Sequence, residues 1–96
     1  MTEKKKLEMT TVVIQADGLK SADIHGEKVM MVAERGKYYG LDNTGARIWD
    51  LLEEQRSVSE LVELLMAEFA VDKETCQSDV LELLNNMFAE GLVSIV

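Results

Sequence analysis

Three observations predict an α+β domain in which a small antiparallel sheet comes first and three helices follow. β-branched and aromatic runs of strand length fill the chain ahead of Asp42. Apolar residues at helical spacing fill it from Ile48 onward. Asp-Gly, His-Gly and Arg-Gly pairs punctuate the first part, whereas Ser57 and Asp72 stand at helix-cap positions in the second. With 96 residues, 47% of them hydrophobic, the chain has the material for one domain with a small core.

The elements follow in order. Met1 to Glu8 holds Lys4-Lys5-Lys6 and is expected to be a disordered tail, leaving 9–96 as the single domain. Met9 to Ile14 is β-branched and reads as a strand. Asp17-Gly18 marks a turn, Leu19 to Ile24 reads as an irregular excursion or a weak piece of strand, and His25-Gly26 marks a second turn with a solvated His25. Glu27 to Glu34 is the second strand, and Glu34-Arg35-Gly36 closes a hairpin in which Gly36 can take a positive φ. The third strand is Lys37 to Leu41. Alternation puts Tyr39 and Leu41 on one face, and the adjoining helix start directs that face to the core; Tyr38 and Gly40 occupy the other.

Asp42 or Asn43 can cap a helix running to about Glu54, with Ile48, Trp49, Leu51 and Leu52 as its apolar stripe. After the connection Gln55-Arg56, Ser57 and Glu60 spell a capping box for a second helix carrying Val58, Leu61, Val62, Leu65 and Phe69. Asp72 caps a third, with Cys76, Val80, Leu81, Leu83, Leu84, Met87 and Phe88, and Gly91 suits its C-terminal end. At ~100° per residue, the apolar arc of this third helix spans roughly 160°. That is wider than one packing partner needs, so its margin reads either as core or as surface open to a ligand. Leu92 to Val96 packs back or adds a short strand. The outline is winged-helix-like.

Charge narrows the function. Residues 1–42 carry seven basic and seven acidic side chains, and residues 43–96 carry three basic and eleven acidic, so the net −8 lies entirely in the helical half. Such a surface repels phosphate backbones and anionic lipid, which excludes nucleic acid and membrane as expected partners. The outline alone would allow a winged-helix DNA-binding regulator. Against it, the third helix offers Asp72, Glu74, Asp79, Glu82 and Glu90 beside a lone Lys73. Catalytic groupings are not legible either: His25 has no second histidine, Cys76 sits in an apolar stripe, and the glycines match no phosphate loop. The sequence therefore predicts no enzyme and no cofactor. The single cysteine and the lack of an apolar signal core or spanning segment suit the cytoplasm.

At Tyr39-Gly40-Leu41-Asp42-Asn43-Thr44-Gly45-Ala46-Arg47-Ile48-Trp49 the chain resembles the PqqD-like family. The likeness continues through Asp79-Val80 and Leu83-Leu84 to Gly91-Leu92-Val93. These are leader-peptide-binding proteins, or RiPP recognition elements, acting on ribosomally made, post-translationally modified peptides. The chain looks most like the free-standing members from lasso-peptide biosynthesis. The resemblance implies an adaptor that takes the leader of a precursor peptide as an extra antiparallel strand and delivers it to a leader protease or another modifying enzyme. Carried onto this sequence, the strand edge is Lys37, Tyr38, Tyr39, Gly40 and Leu41, and the groove residues on the third helix are Cys76, Val80, Leu81 and Leu84. Tyr39, Leu41, Val80 and Leu84 serve equally well as ordinary core. The protein is expected as a monomer or weak dimer, and a dimerisation module using the same edge is a third reading.

Overall fold

The computed structural model describes residues 7–32 and 36–96. Its elements are β1 (Val12–Gln15), β2 (Lys20–Ile24), β3 (Glu27–Val32), β4 (Lys37–Leu41), α1 (Asn43–Leu51), β5 (Arg56–Ser57), α2 (Val58–Glu68), α3 (Lys73–Ala89) and β6 (Val93–Ile95). The α+β class and the run of three helices are as the sequence predicts. The strands divide into two antiparallel sheets, ordered β2-β3-β4 and β5-β1-β6.

The first sheet has the expected three strands with one change of membership. Its outer strand is β2, not the segment after Met9. β2 is exposed along its whole length, so no alternation of apolar and polar residues announces it. His25 and Gly26, with φ of 53° and 83°, make the two-residue turn that returns β2 onto β3. Positive φ at both central positions gives the turn a twist that matches the strands it joins. β3 then pairs β4 in a register that sets Met30 against Tyr39 and Lys28 against Leu41. The expected hairpin residues Glu34 and Arg35 lie outside the described residues.

β1 instead takes the middle of the second sheet, where Val12 faces Ser57 and Val13 faces Ile95. Val13 is fully buried there. The end of the chain thus adds a strand, and the connection after α1 supplies another. α1 stops at Leu51, short of the expected Glu54, because the Arg56 side chain bonds the Leu51 carbonyl at 2.7 Å and the backbone turns to reach β1. Of the tail expected over 1–8, residues 1–6 lie outside the described residues. Leu7 is buried and its N–H donates to Asn85 Oδ1 at 3.0 Å, so the packed chain includes it.

All three helix caps are the expected ones. Asp42, Ser57 and Asp72 each accept from the backbone N–H three residues on, at 2.8, 3.1 and 3.1 Å. At the first of these, a Cβ on Gly45 would stand 3.2 Å from the Asp42 carboxylate, so the glycine is what lets that carboxylate sit over the helix end. α3 ends in a Schellman turn: Leu92 N–H reaches the Met87 carbonyl, Gly91 N–H reaches Phe88, and Gly91 has a φ of 81°. The core gathers Ile48, Trp49 and Leu52 of α1, Val58, Leu61 and Leu65 of α2, and Cys76, Val80, Leu84 and Met87 of α3 beneath Met30 and Leu41.

Candidate functional site

β4 owes its position to its own alternation. Leu41 is buried and Tyr39 packs partly against the core, as the sequence predicts, while Lys37, Tyr38 and Gly40 are exposed. Tyr38 is 70% exposed, a large value for a tyrosine in the middle of a strand. On one side β4 bonds to β3, and among the described residues no strand pairs with its other side. The Tyr39 hydroxyl donates to the Glu90 carboxylate at the end of α3, which fixes helix against strand at that end.

A groove opens between the start of α1 and α3, immediately beyond the end of β4. It has a volume of about 240 Å³ and is lined by Asp42, Thr44, Asp79, Glu82, Leu83 and Asn86. A second, smaller cavity of about 120 Å³ continues from it, sharing Thr44 and Asp79 and otherwise lined by Leu65, Phe69, Val71, Cys76 and Val80. Phe69 and Val71 are among the exposed large apolar residues of the protein. Beside them, Arg47 grips Glu68 through two guanidinium nitrogens at 2.8 and 2.7 Å, tying α1 to the end of α2 next to Thr44 and Phe69. Its hydrogen bonds hold the Glu68 carboxyl below, and the Arg47 guanidinium above, their ordinary values.

The structure separates the four helix residues that the resemblance assigned to the groove. Val80 and Leu84 are fully buried, and they hold α3 to the core. Cys76 is buried but forms part of the inner wall of the small cavity, as does Val80. Burial, then Asp79 and Asp72, push the Cys76 thiol above its ordinary value. Leu81 lines neither cavity. On a helix of ~100° per residue it stands about 160° from Leu83. Its flank is the one crossed by the N-terminal segment, where Asn85 bonds both the Leu81 carbonyl and Leu7. The groove flank instead carries Asp79, Glu82, Leu83 and Asn86. Leu83, one margin of the apolar arc, was the signal for it. Val71 is apolar in a link where polar residues are usual, and Phe69, expected on the second helix, falls just past its end at Glu68.

Among the described residues no three His, Cys, Asp or Glu side chains gather as metal ligands, and no helix is long and apolar enough to cross a membrane. Beside a strand edge, the groove offers three carboxylates without a described ion pair, of which Asp42 caps α1 and Asp79 and Glu82 have no described hydrogen bond, and an apolar cavity at one end. These are binding features.

The known proteins that the chain resembles share this frame. No curated protein matches it. Among solved structures, TbiB1 in complex with the TbiA(beta) leader peptide is 36% identical, with 84% of this chain and 94% of that one aligned at a TM-score of 0.76. A lasso peptide synthetase B1 complexed with the leader peptide is 20% identical over 85% of this chain and 96% of its own, at a TM-score of 0.75, and so shares the fold. The solution structure of the PqqD truncation of Methylobacterium extorquens PqqCD, described as a functional and stand-alone RiPP recognition element, shares the fold as well. It is 16% identical over 97% of this chain and 99% of that one, with a TM-score of 0.80. The sequence model for coenzyme PQQ synthesis protein D (PqqD) matches residues 27–93, from the first residue of β3 to the first of β6 and including both walls of the groove. The chain belongs to the PqqD family.

Proposed function

We propose that this protein is a non-enzymatic adaptor that captures the leader of a ribosomally made precursor peptide and presents it to a processing or modifying enzyme. The observation that carries the reading is β4, a strand paired on one side only among the described residues and running up to a groove against α3. A peptide laid along β4 gains main-chain hydrogen bonds irrespective of its sequence, and the groove selects among side chains. Lys37 to Leu41 supply the edge. Asp79, Glu82, Leu83 and Asn86 supply the selecting wall, with Cys76 and Val80 at the back of the cavity; Leu84 supports that wall from the core.

The 36% identical relative was solved with a leader peptide, which supports the same role here. In this reading residues 9–96, with Leu7 packed against them, form one peptide-binding domain that works in the cytoplasm without a cofactor, as a monomer or weak dimer, with a leader protease or other peptide-modifying enzyme as its second partner. The acidic face of α3 argues against the DNA-binding alternative.

Titrating leader peptides encoded beside the gene into isotope-labelled protein tests the proposal. Micromolar or tighter binding is expected, with amide shifts concentrated in residues 37–44 and 79–86. Methylating alternate backbone nitrogens of the peptide, on the side facing β4, should abolish it. Absence of micromolar binding, or indifference to that methylation, would overturn strand capture.

A further inference from the structure

The groove is chemically graded along its length, and the gradient specifies its guest. At the end nearer the α2–α3 link lies the apolar cavity of Phe69, Val71, Cys76 and Val80. Its volume of about 120 Å³ suits one side chain; sites for whole small molecules usually run to ~300–1,000 Å³. Asp79 stands at the junction and lines both parts; further along α3, toward Glu90 and Tyr39, come Glu82, Leu83 and Asn86. Neither Asp79 nor Glu82 has a described ion pair. The three cations of the helical half are placed elsewhere: Arg47 and Arg56 are engaged by Glu68 and Glu60, and Lys73 lines a separate cavity with Met9, Glu63 and Gln77.

We infer that the guest of this groove is a peptide carrying an apolar side chain followed, two residues later, by Lys or Arg. The inference rests on the reading of the groove as a peptide site and deepens it. Direction comes from the fold. Every described strand pairing is antiparallel, and a peptide adding to β4 in that sense comes through the groove beyond Leu41 before it pairs along the strand toward Lys37. It therefore meets the apolar cavity first and the carboxylates second. Spacing comes from α3. The helix residues lining the cavity and those lining the acidic stretch are offset by about four positions, or ~6 Å of helical rise. That distance is about two residues of extended chain, and residues two apart project to the same face of a strand. One such face fills the cavity and neutralises Asp79 and Glu82 together.

A displayed library of random twelve-residue peptides, selected against the whole protein, tests this. The expected result is enrichment of apolar-x-(Lys/Arg). Synthetic peptides of that pattern should weaken about two- to fivefold for each carboxylate neutralised by Asp79→Asn or Glu82→Gln, and weaken further in high salt. Selection against Asp79→Lys/Glu82→Lys should enrich Asp or Glu at the third position. Val71→Asp should abolish the apolar preference and keep the basic one. Both carboxylates are exposed, so unchanged melting temperatures of the neutralised variants are expected to accompany these losses. Enriched peptides that bind β4 without charge preference, or with the reverse order, would overturn the inference and leave peptide capture standing. A library in which nothing is enriched would overturn both.

Discussion

The Tyr39 hydroxyl donates a hydrogen bond to the Glu90 carboxylate, joining the middle of β4 to the residue that ends α3, 51 positions away. Glu90 stands about one turn of α3 beyond Asn86, the last groove residue on the helix, so the bond holds β4 at a set distance from the helix end. Tyr39→Phe removes the hydroxyl and keeps the ring that packs on the core. The variant should lose about 1.5–3 kcal/mol in urea unfolding, the usual worth of a bond to a charged group. Amide exchange should speed up in β4 while α2 stays as protected as before. Equal exchange in the two would mean that the bond does not hold the strand.

Leu84 and Leu81 lie three positions apart on α3 and should answer very differently to truncation. Leu84→Ala empties a fully buried site and should cost about 2–5 kcal/mol. Leu81, half-buried on the far flank from the groove, should cost less as Leu81→Ala and leave peptide binding unchanged. Urea unfolding, with binding measured well below the midpoint, separates the two effects. Weakened binding in a stable Leu81→Ala would restore that residue to the groove.

Cys76 should be an inert thiol. It is buried, its Sγ lies 3.8 Å from the Val62 carbonyl, and burial followed by Asp79 and Asp72 raises its pKa. The thiolate is the reactive form, so alkylation of the native protein should be slow at neutral pH and accelerate only above the ordinary thiol range of about 8.5. A peptide seated in the adjoining cavity should slow it further. A pH–rate profile with an apparent pKa below the ordinary value would contradict the geometry.

Asp72 ties stability to pH. The Thr75 backbone N–H, then the Thr75 side chain, hold its carboxyl below the ordinary 3.8. A depressed carboxylate contributes stability that is complete above its unfolded value and is lost as pH falls through the folded one. Asp72→Ala should therefore melt earlier than the parent at neutral pH, and the gap should close in strongly acid solution. A gap that is constant with pH would assign the loss to something other than the charged cap.

Gly91 should tolerate asparagine better than alanine. No atom lies within 4 Å of where its Cβ would be, so the cost of substitution is conformational and not steric. A φ of 81° places it in the left-handed region, where an ordinary L-residue loses about 1–2 kcal/mol and asparagine less. Thermal unfolding of Gly91→Ala and Gly91→Asn checks the order.

Much of this fold is legible in the residues. The caps at Asp42, Ser57 and Asp72, the inward face of β4 and the Gly91 terminus follow from local chemistry, which acts within a few positions of the residue concerned. The strand partners of Val13 do not, because they lie more than forty and eighty positions away and leave only short apolar runs as traces. β2 is legible only as one of two alternatives, a weak piece of strand or an irregular excursion, for a different reason: exposed on both faces, it carries no pattern for burial to impose. In the groove, the exposed edge of β4 and the cavity residues Cys76 and Val80 follow from local pattern, whereas the choice between the two flanks of α3 does not. The apolar arc of α3 has two margins, Leu83 and Leu81, and helical spacing treats them alike. What separates them is Leu7, which packs against the Leu81 flank through a single bond to Asn85.

β1 lies between β5 and β6, so the second sheet is assembled from the early, middle and late parts of the chain. While the protein is being made, Val13 waits for Ile95 to leave the ribosome before its strand has both neighbours. Closing so long a loop is entropically costly before any contact rewards it, which slows folding compared with the neighbouring β2-β3-β4 hairpins. The β2-β3-β4 sheet can thus form on a nascent chain before the sheet that closes the core. For that interval β4 is an open template with little structure behind it, and the chain is most exposed to pairing with its own copies.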